Sequence, residues 1–229
     1  MAKRFQPKTE AADENVFWTT MSDMFLGLMM VFMTLFIFAM TGFTQVKMES
    51  QKAQAEVAKE LSEKLKENNI DAQVDKSTGQ VKISDLNLFA VGSAELTDNG
   101  KQYLSKFFPI YIKTIFENPK LKGKISNITI QGHTDSQMFK GVTSKEEQFA
   151  KNMELSTRRA NSVEDFLFKT SYDKNYSDEL LKMLVVEGKS STEPVIIDGK
   201  EDYAKSRRVE IKLSVKTIEG VQDLFIQKK

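Results

Sequence analysis

The sequence predicts an α/β fold: a sandwich of one sheet covered by helices, set behind a single N-terminal transmembrane helix and a helical spacer. Three observations predict it. Residues 24–46 (MFLGLMMVFMTLFIFAMTGFTQV) are 23 consecutive residues without a formal charge. Residues 47–69 turn abruptly to Lys, Glu, Gln and Ala. Beyond them, period-two apolar runs alternate with amphipathic stretches bounded by turn and cap residues, as strands interleaved with helices do.

At about 1.5 Å per residue the apolar run makes a helix of roughly 34 Å, enough for a bilayer core of about 30 Å. A cleaved signal peptide is the competing reading and fits poorly. The run is too long, Glu10, Asp13 and Glu14 precede it, and no small-x-small cleavage site follows. The expected organisation is an arm over residues 1–15, a transmembrane helix over 16–46, a helical linker over 47–69, a folded domain over 70–215 and a tail over 216–229. Phe17 and Trp18 stand where an aromatic belt belongs. The linker carries a thin apolar stripe, Ala53, Val57, Leu61 and Leu65. It reads as a solvated spacer, with a dimeric coiled coil as the sharper alternative. In the tail, Ile218, Val221, Leu224 and Phe225 recur at helical spacing, suited to packing on the domain or to a partner.

Inside the domain, Ile70, Ala72 and Val74 alternate, Lys76, Ser77, Thr78 and Gly79 form a turn, and Val81 and Ile83 alternate again, which predicts a hairpin. Thr97 and Asp98 cap a helix through Phe116 that stops at Pro119. Residues 125–131 read as a strand with Ile128 and Ile130 on one face, and residues 152–168 as a helix with Leu155, Val163, Phe166 and Leu167 apolar. Ser177 is expected to cap a short helix to Met183, and Val185, Val186 and residues 209–215 complete the strands.

Composition excludes several classes of function. A net charge of +1 offers no bulk attraction for nucleic acid. Without cysteine there is no disulfide, thiolate metal site or cysteine-linked lipid anchor. His133 is the single histidine, which leaves no histidine cluster for a metal, and it reads as a packing residue. No nucleophile with its base and no phosphate loop stands out, so neither an enzyme nor a bound cofactor is expected.

Asp23 is the chemically loaded residue of the apolar segment. One reading makes it an interfacial helix cap. The other puts it inside the membrane, because Val16, Phe17 and Trp18 before it are already apolar. Steps of three and four from Thr19 reach Asp23, Gly27, Met30, Thr34, Phe38 and Thr41, so polar and small residues gather on the side of the acid. An intramembrane carboxylate facing protein is by default a proton or ion relay.

Four segments in order carry a family resemblance: LFAVGSAEL at 88–96, ITIQGHTD at 128–135, NMELSTRRA at 152–160 with Val163, and SRRVEI at 206–211. The distal half resembles the OmpA-like family. That resemblance implies an OmpA-like α/β sandwich that binds peptidoglycan, with Asp135 and Arg159 recognising diaminopimelate and Asn152 beside them. A zwitterionic ligand suits one anion and one guanidinium. Arg158 and Arg207 read instead as surface ion pairs. Asp135 and Arg159 are expected to face one shallow pocket, away from any apolar face. Two departures touch the site: residues 136–151 form a longer connection than the family's short loop, and Ser206 replaces the usual Asn.

A membrane helix with an Asp followed by an OmpA-like domain resembles the B subunits of ion-driven stators, the MotB type. WTTMSDM at 18–24 resembles the ZorB type of the Zorya anti-phage system more closely. The resemblance implies a peptidoglycan-binding subunit of an ion-driven rotary motor, with H⁺ or Na⁺ handled at Asp23. The partners implied are a polytopic membrane subunit of the MotA or ZorA type in excess, peptidoglycan, and a second copy of the chain. A flagellar stator and a static envelope tether are the alternatives. Lys3, Arg4 and Lys8 before the helix are matched by Lys47, Lys52, Lys59 and Lys64 after it, so charge does not set orientation. The resemblance implies an inner-membrane protein with a cytoplasmic N-terminus and a periplasmic domain.

Overall fold

The computed structural model describes residues 10–216, the side chains of 10–15, 46, 49 and 50 excepted. The arm before residue 10 and the tail positions Ile218, Val221, Leu224 and Phe225 lie outside the described residues. The chain forms two compact units, Met1–Met48 and Glu49–Lys229.

The first unit holds the opening turns of α1 (Glu10–Glu67). Val16–Gln45 is a 30-residue stretch of mean hydropathy 2.3, long and apolar enough to cross a membrane. Its hydroxyls are satisfied within the helix. Thr20 donates to the Val16 carbonyl at 2.8 Å, Ser22 to Trp18 at 2.8 Å, Thr34 to Met30 at 3.0 Å and Thr41 to Ile37 at 2.6 Å. Such back-bonding lets a polar side chain sit in hydrocarbon without a neighbour. Asp23 is the one formal charge between Val16 and Gln45.

In the second unit α1 ends in a Schellman motif. Ile70 N–H donates to Leu65 O at 2.9 Å and Asn69 N–H to Lys66 O at 3.0 Å. Asn69 takes the left-handed position at φ 54°, which Asn tolerates better than other non-glycine residues. The sheet runs in the order β1 (Gln73–Val74), β2 (Val81–Ser84), β7 (Arg208–Val215), β3 (Ile125–His133), β4 (Leu184–Gly188). Only β3 and β4 are parallel. A separate ribbon pairs β5 (Ile196–Ile197) with β6 (Lys200–Glu201). The other helices are α2 (Asp98–Glu117), α3 (Lys145–Leu167), α4 (Ser177–Met183) and α5 (Tyr203–Ser206).

Alternation divides the sheet by face. Val81, Ile83, Ile128, Ile130, Val209 and Ile211 join Leu104, Phe107, Phe108 and Ile112 of α2 and Ala160, Val163 and Leu167 of α3 in one core. Gln131, His133 and Glu210 are buried on the opposite, polar face. Gly132 and Gly188 pair in register where α3 crosses the sheet. A Cβ on Gly132 would strike the Ser156 carbonyl, and one on Gly188 the Thr157 hydroxyl, so both positions require glycine.

Several expectations are corrected. The stripe of the 47–69 segment is not solvated. Ala53 is 5% exposed and Val57, Leu61 and Leu65 are 1% exposed, within the domain core. Polar contacts pin the same helix: Asn118 donates to Glu60 at 3.1 Å, and Lys120 pairs with Glu56. The stripe is apolar because it covers the domain, which an isolated reading of its thinness missed. α3 begins at Lys145 rather than near Asn152, capped by Ser144, whose hydroxyl accepts from Glu147 N–H at 3.1 Å. The long connection after Asp135 is therefore half helix. Ser177 does not cap α4. A 3₁₀ turn, Lys174–Tyr176, leads into that helix, and Asp173 caps the turn. The hairpin, the Thr97-capped helix and the remaining strands lie where the sequence places them.

Candidate functional site

Three strand ends meet at one end of the sheet. β2 and β3 both run antiparallel to β7 and flank it. Ser84, Arg208 and His133 share one row, so the next residues outward are Asp85, Arg207 and Thr134, with Asp135 after it. α3 brings in Arg159 from above the same edge, and four charged groups then alternate. Arg159 Nη1 lies 3.0 Å from Asp85 Oδ2, Arg207 Nε lies 3.7 Å from that same oxygen, and Arg207 Nη1 pairs with Asp135 Oδ2.

The groups differ in depth. Side-chain exposure is 2% for Arg159 and 4% for Asp85, but 12% for Asp135 and 24% for Arg207. Arg159 also donates through Nε to Ser93 O at 2.9 Å, and its guanidinium stacks 5.3 Å from the centre of the Phe89 ring. Burial pushes the Asp85 carboxyl up from its ordinary value, against the pull of Arg159 and Arg207. Burial likewise draws the Arg159 guanidinium down, against the pull of Asp85. Asp135 accepts from Gln137 N–H at 3.1 Å, which fixes its turn.

Asn152 is 2% exposed and stands seven residues before Arg159, two turns away on the same face of α3. Its Nδ2, Thr134 Oγ1 and Asp85 Oδ1 are buried with no hydrogen-bond partner among the described residues. The connection after β3 is tied back onto α3: Gln148 accepts from Phe139 N–H at 2.9 Å and donates to Gln137 O at 2.5 Å. Ser136 N–H donates to Glu201 at 3.2 Å, so the β5–β6 ribbon stands against the Asp135 turn.

A second polar cluster lies on the buried polar face. His133 Nε2 is 3.4 Å from Glu210 Oε2, Arg208 Nε donates to Glu210 Oε1 at 2.6 Å, and Lys212 Nζ is 3.4 Å away. Burial alone would raise the Glu210 carboxyl, but the His133 ring 3.4 Å away and the hydrogen bond from Arg208 outweigh it and hold Glu210 below the usual carboxylate range. His133, Glu193 and Glu210 approach one another as metal ligands would. With Arg208 and Lys212 already against Glu210, the cluster is a neutralised structural network, and His133 packs as expected.

Residues 88–208 match the OmpA family. The chain belongs to the OmpA family. It is also similar to the Zorya protein ZorB of Escherichia coli, 30% identical over 219 residues that cover 90% of each chain. Among solved structures, a MotB-like protein from Desulfovibrio vulgaris has a TM-score of 0.51 at 22% identity, covering 72% of this chain and 92% of that one. This last likeness is one of fold.

Seen as an OmpA-family domain, the site joins two of the three residues expected from sequence in one charge array, Asp135 and Arg159, with Asn152 along the same helix face. It does not give Asp135 and Arg159 a common shallow pocket. Arg159 lies beneath the surface, buried against Asp85, and Arg207 stands between it and Asp135. Arg158 is the surface pair anticipated, 3.7 Å from Glu154 with both side chains well exposed. Arg207 is not: it bridges both carboxylates of the array. Two participants escaped sequence reading. Arg207 was inside a recognised segment and could have been found there. Asp85 lies three residues before the OmpA-family match begins, and its only local signal is an acid closing an alternating strand.

Proposed function

We propose that this chain is the membrane-anchored, peptidoglycan-binding subunit of an ion-driven motor of the Zorya type, acting in anti-phage defence. The observation that carries the reading is the likeness to ZorB along 90% of both chains, which includes the helix as well as the domain. In this reading Val16–Gln45 crosses the bacterial inner membrane with the N-terminus cytoplasmic, and the domain grips the cell wall in the periplasm.

Asp23 is the ion-handling group. Val16–Gln45 is about 45 Å long at 1.5 Å per residue, some 15 Å more than a hydrocarbon core of about 30 Å. If the excess is shared between the ends, Asp23, about 10 Å from Val16, falls just inside the apolar layer. A carboxylate there is costly when ionised and cheap when protonated. Loading and unloading a proton or sodium ion would then alter which surface of a polytopic, MotA- or ZorA-like partner the helix prefers. One charge crossing 100 mV releases about 2.3 kcal/mol, enough to bias a rotary step. A second copy of the chain completes the assembly, and no chemical catalysis is assigned to the domain.

The test is Asp23→Asn in cells challenged with phage. Normal membrane accumulation and co-purification of the partner with complete loss of protection are expected. Full protection by Asp23→Asn would refute ion handling at this residue and favour a static tether. Loss of swimming in place of phage protection would assign the chain to a flagellar stator.

A further inference from the structure

We propose that a cavity on the polar face of the sheet, apart from the strand-end charge array, holds the α-carboxylate end of a small apolar amino acid, with Lys82 on the carboxylate and Asp71 on the neighbouring N–H donor. The inference goes beyond the stator reading and does not depend on it.

The cavity has a volume of about 240 Å³ and lies between the β1–β2 edge and the segment around α5. Gln73 and Lys82 pair in register on its floor. Ser84 and Asp71, two residues further along each chain, line the same space. Val195 and Ala204 form the facing wall. That wall is fixed before any ligand arrives. Val195 N–H donates to Ser206 Oγ at 3.0 Å, and the Val195 carbonyl accepts from Asp202 N–H at 2.8 Å. Arg208, 7% exposed, donates to the carbonyls of Glu193 at 3.2 Å and Ser206 at 3.0 Å. A preformed cavity spares a ligand the cost of ordering its walls.

The charges that line the cavity are unequally engaged. Lys205 lies 3.4 Å from Asp202, Arg207 pairs with Asp135, and Arg208 donates to Glu210 at 2.6 Å. Lys82 is different. Its cross-strand neighbour Glu210 is taken by Arg208 and Lys212, and among the described residues no carboxylate pairs with the Lys82 ammonium. Ser84 precedes a 3₁₀ turn, Asp85–Asn87, without capping it, so its hydroxyl is left to the cavity. The Asp71 carboxylate has no cation partner among the described residues, while its backbone carbonyl is held by the Tyr103 hydroxyl at 2.7 Å.

One unpaired cation and one unpaired anion therefore share a small space and do not pair with each other. An α-amino acid carries a carboxylate and an N–H donor one carbon apart, so it satisfies both and leaves neither charge uncompensated. Val195 and Ala204 offer the side chain only apolar contact, which suits a methyl group. Inorganic phosphate brings charge for Lys82 but only repulsion for Asp71. The shared chemistry belongs to a free amino acid, whose donor is an ammonium, and to the C-terminal residue of a peptide, whose donor is an amide.

The experiment is ligand-observed saturation-transfer NMR on the full chain in detergent micelles, titrated with alanine, N-acetylalanine, alaninamide and inorganic phosphate. Alanine or N-acetylalanine is expected to bind. Alaninamide, which lacks the carboxylate, and phosphate are expected to bind about ten- to a hundredfold more weakly, the range of one charged hydrogen-bonded contact. Tighter binding of alanine identifies the free amino acid, and tighter binding of N-acetylalanine the peptide end. Lys82→Gln is expected to lose the same ten- to a hundredfold, and Lys82→Arg, which keeps the charge, to retain most of the affinity and to guard against misfolding of the glutamine variant. Asp71→Asn is expected to weaken alanine more than N-acetylalanine. Asp135→Asn, which alters the strand-end array, is expected to bind alanine as the parent does. Equal binding of alanine and alaninamide, parent-like binding by Lys82→Gln, or loss of binding in Asp135→Asn would overturn the inference, as would a parent that binds none of the four probes.

Discussion

Truncating Arg159 to alanine removes the largest fully buried side chain among the described residues. Its neighbours set the size of the effect. The variant loses the contact at 3.0 Å to Asp85, the donor at 2.9 Å to Ser93 O and the stacking on Phe89. Asp85, 4% exposed in its side chain, keeps only Arg207 at 3.7 Å. Breaking a buried pair by deleting one partner costs about 3–5 kcal/mol, since it leaves the other charge uncompensated. The residual pull of Arg207 places the effect near the lower end, about 3 kcal/mol. Against a typical domain stability of about 5–15 kcal/mol, the variant folds but is visibly weakened. Urea denaturation of residues 49–229, followed by circular dichroism, measures it. Removing both charges as Asp85→Asn with Arg159→Met is expected to recover about 1–3 kcal/mol of the summed single losses, as neighbours in one network do. If Arg159→Ala unfolds within about 0.5 kcal/mol of the parent, as an exposed site would, then Arg159 is not the buried support described.

Two further outcomes are expected. Leu61→Ala should cost about 2–5 kcal/mol in the same assay, because Leu61 is 1% exposed in the domain core; a change below about 0.5 kcal/mol would restore the solvated spacer. Stability should also fall in acid. Glu210 is held below the usual carboxylate range, and Asp75 is lowered to about 2 by hydrogen bonds from Ser77 and Thr78. Groups depressed in the folded state contribute stability above their unfolded values and lose it as pH falls through the folded ones. Asp85, raised by burial, has the opposite sign: its contribution is present at low pH and is lost as pH rises through its folded value. Urea midpoints should therefore decline below about pH 4, and Glu210→Gln should flatten that decline; an acid limb unchanged in Glu210→Gln would refute the assignment.

Periodicity and local chemistry were enough for much of this protein. An uncharged run marks α1 as apolar enough for a membrane, and a 30-residue apolar stretch is what the structure contains. The hairpin around Gly79, the Thr97 cap and the strands with Ile128 and Val209 follow from rules that act within a few residues. Asp135, Asn152 and Arg159 stand out in the sequence because their segments carry a family pattern, and the fold sets Asp135 and Arg159 in one charge array. Other features depend on groups far apart in the chain. Whether the stripe at Ala53, Val57, Leu61 and Leu65 is solvated or buried depends on a core built from residues up to Val215. That Gly132 must be glycine follows from the passage of α3 over β3, which no local rule contains. The depth order of the four charges was the least legible. Asp85, Arg159 and Arg207 are separated along the chain by 74 and 48 residues. Only the antiparallel placement of β2, β7 and β3, with α3 above their ends, brings those charges within Coulombic reach and decides which is buried. Sequence supplies the charges; burial and distance, which set their energies, exist only once the chain has folded.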